Sequence, residues 1–175
     1  MKVIFLDIDG VLNGYNKTTD KIDKLFTKLN LLILSEFFFS LNNIHLLKMI
    51  YLKLILVFTN TQIVLISSIR HKVLDPKCTL KSCVKFRKYS QLLRIPIYGC
   101  IDDFVGEREA DIEYWLDDHP EVEDFIIIDD EIAFYEKYRN KVIQTSKKDK
   151  ICGHADEDTG LKAKHVFRAI KKITK

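Results

Sequence analysis

Three short apolar runs in this chain each stop at a residue suited to polar chemistry. Lys2–Leu6 meets Asp7, Ile63–Ile66 meets Ser67, and Phe125–Ile128 meets Asp129. Runs that are apolar on both faces, rather than at alternate positions, suit the buried strands of a parallel sheet. Val142–Gln144 reads as a weaker fourth strand, and Ile95–Tyr98, stiffened by Pro96, as a fifth. Between them lie stretches with apolar residues three and four apart. These are Asp20 to about Ile33 (Leu25, Phe26, Leu29, Leu32), about 43–54 (Leu46, Leu47, Ile50), Glu107–Asp117 (Ile112, Trp115, Leu116) and Leu161–Ile173 (Val166, Ile170, Ile173). Acids open the third of these helices, at the positive end of its dipole, and His119-Pro120 stops it. Strands alternating with helices predict an α/β fold, a mostly parallel Rossmann-like sheet covered on both faces.

Length and composition narrow the class. A chain of 175 residues, 47% hydrophobic and 30% charged, is one globular domain's worth of sequence and not a disordered or fibrous one. With no internal repeat and no Pro/Gly-rich boundary, residues 1–175 read as a single domain. The net charge of +3 is small against 28 basic and 25 acidic side chains, so charge alone does not point to nucleic acid. Cys78, Cys83, Cys100 and Cys152 have neither CxxC spacing nor clustered His partners, which argues against structural zinc. They read as reduced thiols of a cytoplasmic protein. Leu25–Ile66 is strongly apolar, but Glu36, Asn42, Asn43, His45, Lys48 and Lys53 interrupt it. No run reaches the roughly 20 residues of a spanning helix, so no membrane is expected, and the N-terminal run is too short for a secretory signal.

In open α/β sheets the ligand lies outside the carboxyl ends of the strands. The three clearest strands here end in Asp7-Ile8-Asp9-Gly10, Ser67-Ser68-Ile69-Arg70 and Asp129-Asp130. One carboxylate of the first pair can attack phosphorus, and the other can protonate the leaving oxygen and then activate water. Taken alone, the pair fits a turn cap equally well. Gly10 permits a tight turn and close approach of the backbone to a ligand. Asp129-Asp130 adds carboxylates that together with Asp7 call for a hard cation, and Mg²⁺ suits such a set beside a phosphate. Ser67, with Ser68 beside it, can hold a phosphoryl oxygen, and Arg70 can add a bidentate contact. Arg108, at a helix start, can reach the same anion or serve as a surface charge.

The ordered series FLDIDGVLN (Phe5–Asn13), VLISSIR (Val64–Arg70), EREADIEYWL (Glu107–Leu116) and FIIIDDE (Phe125–Glu131) resembles the four motifs of the haloacid dehalogenase (HAD) superfamily. Its nearest likeness is to the small HAD domains of nucleic-acid repair proteins and polynucleotide phosphatases, and with Gly160-Leu161 before the last helix it extends from Met1 to about Ile170. The resemblance implies a HAD-type phosphatase with Asp7 as nucleophile and Mg²⁺ ligand. It implies Asp9 as general acid/base that also binds metal through its backbone carbonyl, Ser67 as phosphoryl holder and Arg108 as the third-motif cation. Asp129 and Asp130 complete the metal site, with Asp130 the direct ligand. The chain departs from the pattern at three places: Arg108 stands where Lys is usual, Glu109 where Gly is, and Ile69 where an aromatic is. An insertion is expected near Ser146–Asp158.

The gaps from Gly10 to Ser67 and from Arg70 to Arg108 leave no room for a large cap domain. A minimally capped site suits a phosphate on something large, a nucleic-acid end or a phosphoprotein. Lys72, Lys77, Lys81, Lys85, Arg87, Lys88 and Arg94, against Asp75 alone, form a basic stripe that can contact a phosphate backbone. Phe86 and Tyr89 within it are placed either to stack on bases or to join the core. Two rivals remain: a catalytically silent module binding nucleic acid or a protein through that stripe, and a receiver-like domain. The second is disfavoured because Ser67, not Asp, ends the middle strand.

Overall fold

The computed structural model describes residues 1–13, 44–102, 106–146 and 160–173. The strands are β1 (Lys2–Leu6), β2 (Gln62–Leu65), β3 (Ile97–Cys100), β4 (Asp124–Asp129) and β5 (Val142–Gln144). The helices are α1 (Leu46–Thr59), α2 (Arg70–Leu74), α3 (Lys81–Leu92), α4 (Arg108–Asp117) and α5 (Ala163–Ile173), with 3₁₀ turns at Ile132–Phe134 and Arg139–Lys141. The helix expected over 20–33 and most of the insertion expected near Ser146–Asp158 lie outside the described residues.

The strands form one all-parallel sheet in the order β3-β2-β1-β4-β5. This is the α/β Rossmann-like arrangement expected from the sequence. Its central strand shows why both-face apolar runs become inner strands: Phe5 pairs with Val64 on one side and Ile127 on the other. Ile4, Leu6, Ile63, Leu65, Ile126 and Ile128 face a core shared with α1, α3 and α5. Val3, Phe5, Val64, Ile66, Phe125 and Ile127 face a second core built with Ile112 and Trp115 of α4. Burying both faces of each strand supplies the main driving force, at about 25 cal/mol per Å² of apolar surface removed from water.

Two local expectations shift. α1 extends to Thr59, and its buried face is Met49, Leu52, Ile55 and Leu56, with Ile50 exposed rather than buried. The helix is apolar nearly all round, so spacing alone did not single out a face. Phe86 and Tyr89 of α3 are both buried in the core, which removes them as base-stacking groups. Among the described residues, no helix is long and apolar enough to cross a membrane.

From β1 the chain moves outward to β2 and β3, then returns to the other side of β1 for β4 and β5. The order therefore reverses between β1 and β4. At such a switch point the connections leave in opposite directions and open a crevice at the carboxyl ends of the strands. Asp7 follows β1 directly and Asp129 ends β4.

Candidate active site

Sheet pairing continues just past the strands and fixes the loops that leave them. Asp7 N–H donates to the Ile128 carbonyl (2.9 Å), Ile66 N–H to that of Leu6 (3.0 Å) and Thr145 N–H to that of Asp129 (2.9 Å). The chain then turns sharply, with Leu12 N–H on the Ile8 carbonyl at 2.9 Å. Asn13 stitches this turn: its Oδ1 accepts from Gly10 N–H and its Nδ2 donates to Asp9 Oδ1, both at 2.8 Å. Gly10 sits at φ +71, and any Cβ there would overlap the Asp130 carboxylate. The glycine is thus required twice, for its backbone angle and for the space it leaves.

One carboxylate oxygen from each of Asp7, Asp129 and Asp130 lies within 4.8 Å of the others. Asp7 and Asp129 are fully buried, and Asp130 is half-buried. The Asp130 carbonyl accepts from Ser146 Oγ (2.5 Å) and Gln144 Nε2 (3.4 Å), which ties this loop to the end of β5. Burial, then the Asp129 charge, raises the Asp7 carboxyl well above its usual range, with Asp130 and Asp9 adding to the effect against Arg108. Asp130 is pushed up to about 6 by burial first and then by Asp129 and Glu131. Carboxylates that resist ionisation together are a site short of positive charge.

Arg108, the first residue of α4, supplies part of that charge. Its Nη1 donates to Asp129 Oδ2 at 2.6 Å, and its Nη2 lies 3.8 Å from Asp7 Oδ1. Burial works against its charge, but Asp129 and Asp7 outweigh that and raise its pKa. The guanidinium also lies over the Phe134 ring, 4.8 Å from its centroid.

Asp129 is held from three sides. Oδ2 accepts from Arg108 and from the hydroxyl of buried Tyr135 (2.6 Å), while Oδ1 accepts from Glu131 N–H (2.8 Å). Tyr135 escaped the sequence reading, because nothing local marks it beyond its place six residues after the acid. Glu109, the departure from the usual Gly, has a visible role here. Its carboxylate accepts from the backbone N–H groups of Glu136 (3.2 Å) and Tyr138 (2.9 Å), and so holds the loop that presents Phe134 and Tyr135.

Ser67, at the end of neighbouring β2, is fully buried, and its Oγ has no hydrogen-bond partner; Asp7 Oδ1 is in the same condition. Such orphaned oxygens are costly unless a ligand meets them. Ser68 is exposed and lines a recess of about 210 Å³ with Arg70, Gly106, Arg108 and Asp111. Arg70 is buried, with Nε donating to the Ile101 carbonyl (2.5 Å) and Nη1 to that of Ser67 (3.0 Å). One of these donors therefore braces the backbone of Ser67, and the other ties Arg70 to the residue that follows β3.

A family model describing the HAD domain in Swiss Army Knife RNA repair proteins matches residues 3–151. The chain belongs to that family. The match spans the strand ends carrying Asp7, Ser67 and Asp129-Asp130 and the helix start carrying Arg108, and stops short of Gly160-Leu161 and α5. No curated protein and no solved structure matches the chain. HAD domains of this kind generally use a divalent metal, and the acidic cluster fits that need. The sequence expectation of a small repair-type HAD domain holds at the level of family and fold.

Proposed function

We propose that this HAD domain is a Mg²⁺-dependent phosphomonoesterase that works through an aspartyl-phosphate on Asp7 and acts on a nucleic-acid end. The observation that carries the reading is the pair of buried oxygens without a hydrogen-bond donor or acceptor, Asp7 Oδ1 and Ser67 Oγ, just past the ends of adjacent strands, with Arg108 ion-paired to the first. A phosphoryl group placed there meets a nucleophile, a hydroxyl donor and a guanidinium at once. In the first step an Asp7 oxygen bonds to phosphorus while Asp9 protonates the departing ester oxygen. In the second, Asp9 takes a proton from water, whose oxygen attacks phosphorus and returns the free Asp7 carboxylate and inorganic phosphate. Ser67 and Arg108 bind the equatorial oxygens on which charge collects.

The donor set suits Mg²⁺: hard carboxylate oxygens, one of them orphaned, in a cluster that resists full ionisation. Asp7 and Asp130 would hold it, together with the Asp9 backbone carbonyl that the family resemblance implies. Asp129, already contacted by three donors, serves chiefly to hold Arg108. The ion would neutralise the phosphate dianion that otherwise repels an anionic nucleophile.

The deciding experiment is a phosphatase assay with and without Mg²⁺, on an aryl phosphate, nucleotides, sugar phosphates and 3′- and 5′-phosphorylated oligonucleotides. Wild-type protein is expected to release phosphate only with Mg²⁺ and fastest from an oligonucleotide end. Asp7→Asn should lower turnover by about a thousandfold or more while folding normally. Undiminished turnover in that variant would refute the mechanism.

A further inference from the structure

Helix α5 lies outside the family match, yet it forms one wall of an open groove beside edge strand β5. This open groove, about 560 Å³, is lined by Ile132, Val142, Ile143, Gln144, Arg168, Lys171 and Lys172. It contains three cations and no carboxylate. Arg168 and Lys171 are exposed, and among the described residues neither is paired with an acid. The amine of Lys172 donates to the Asn140 carbonyl; burial, then the charges of Lys141 and Arg168, lowers its pKa, as expected where positive charge is crowded.

Two lining residues tie the groove to the loop of the candidate active site. Ile132 follows the acidic loop directly, and Gln144 Nε2 donates to the Asp130 carbonyl. α5 runs antiparallel to the strands: Leu161, just before it, bonds to Val11 beyond the carboxyl end of β1, and Ile173 at its end has a carbonyl that accepts from Lys2 at the amino end of β1. The row of cations therefore leads away from the site along the sheet edge. Phe167 stands on α5 next to Arg168 and is 73% exposed, an aromatic face that no described residue covers. A cationic track with an aromatic beside it is the combination that holds single-stranded nucleic acid through backbone phosphates and a stacked base. The 72–94 stripe lacks it: its two aromatics are buried, and Arg87 donates to the carbonyls of Asp75 and Cys78.

We propose that the groove between edge strand β5 and helix α5 binds the phosphodiester backbone of a single-stranded nucleic acid and leads its end to the Asp7 site. The site rests on the phosphatase reading for its purpose but not for its binding. The test uses the full chain and a fluorescent single-stranded RNA of about a dozen nucleotides with hydroxyl ends, titrated over a range of salt. Arg168→Glu/Lys171→Glu is expected to weaken binding about tenfold and reduce the salt slope by about 2, with aryl-phosphate turnover unchanged. Lys72→Glu/Lys77→Glu/Lys81→Glu is expected to stay within about twofold of wild type, since those side chains lie off the track. Unchanged affinity in the groove variant, an equal loss in the stripe variant, or equal competition by poly-glutamate would each overturn the proposal. Groove-dependent RNA binding by a wild-type protein that hydrolyses none of the phosphates would sustain the groove and remove the phosphatase reading alone.

Discussion

A methyl group on Gly10 would occupy the space that the carboxylate of Asp130 already fills. The turn after β1 and the acidic loop after β4 are thus fitted to each other at one atom. Gly10→Ala is expected to cost about 1–3 kcal/mol, from strain at positive φ and from overpacking. It should also displace Asp130 and raise the Mg²⁺ concentration needed for activity. Thermal melts and Mg²⁺ titrations of the variant check both; a variant with wild-type melting and Mg²⁺ dependence would contradict the fit.

Tyr135 and Arg108 donate to the same oxygen of Asp129. Tyr135→Phe removes one donor without changing shape, and a buried hydrogen bond to a charged group is worth roughly 1.5–3 kcal/mol. Stability should fall by about that amount. With Asp129 freer to turn, Arg108 is held less firmly, so kcat should drop several-fold while the Mg²⁺ requirement stays near wild type. An equal loss of metal affinity would instead make Asp129 a principal ligand.

Arg70→Lys tests whether that buried guanidinium braces the Ser67 loop. Lys offers a point charge in place of a fork and does not satisfy the Ile101 and Ser67 carbonyls together. A loss of about 1–3 kcal/mol is expected, measured by urea denaturation, with a rise in KM as Ser67 loses its support. Wild-type stability with impaired substrate binding would show that Arg70 meets the phosphate itself.

The acidic cluster gives a pH signature. Asp130 is pushed up to about 6 and Asp7 is also raised, so the metal-free folded protein keeps protons that the unfolded chain has released. From about pH 4 to 6 the folded state therefore binds more protons, and this contribution to stability falls as pH rises. Mg²⁺ competes with those protons. Its stabilising effect should be slight near pH 5 and largest above about pH 7, as read from melting temperatures with and without the ion. A Mg²⁺ effect independent of pH, or unchanged in Asp130→Asn, would count against the assigned ligands.

Much of the sheet is legible in the sequence because β1, β2 and β4 are buried on both faces, which leaves continuous apolar runs that stop at Asp7, near Ser67 and at Asp129. The buried face of α1 is not, because a helix apolar all round carries no phase. Nor does local sequence reveal Tyr135 or Glu109, whose partners are an acid six residues back and backbone groups 27 and 29 residues on. Arg70 shows a different limit. An arginine two residues past a serine pair reads as a phosphate contact, whereas tertiary packing gives two of its donors to carbonyl groups.

Placing the first strand at the middle of the sheet also affects synthesis. As the chain emerges from the ribosome, β1 has one neighbour, β2, until β4 is made, and Thr145, which bonds back to the Gly10 carbonyl across 135 residues, comes later still. Non-local pairing of this kind forms slowly, because the intervening loop must close before the contact stabilises it. A fragment ending before Asp124 would carry Asp7 with an open strand edge beside it and without Asp129, Asp130 or Tyr135. Any activity of this centre therefore reports a chain made through at least Tyr135.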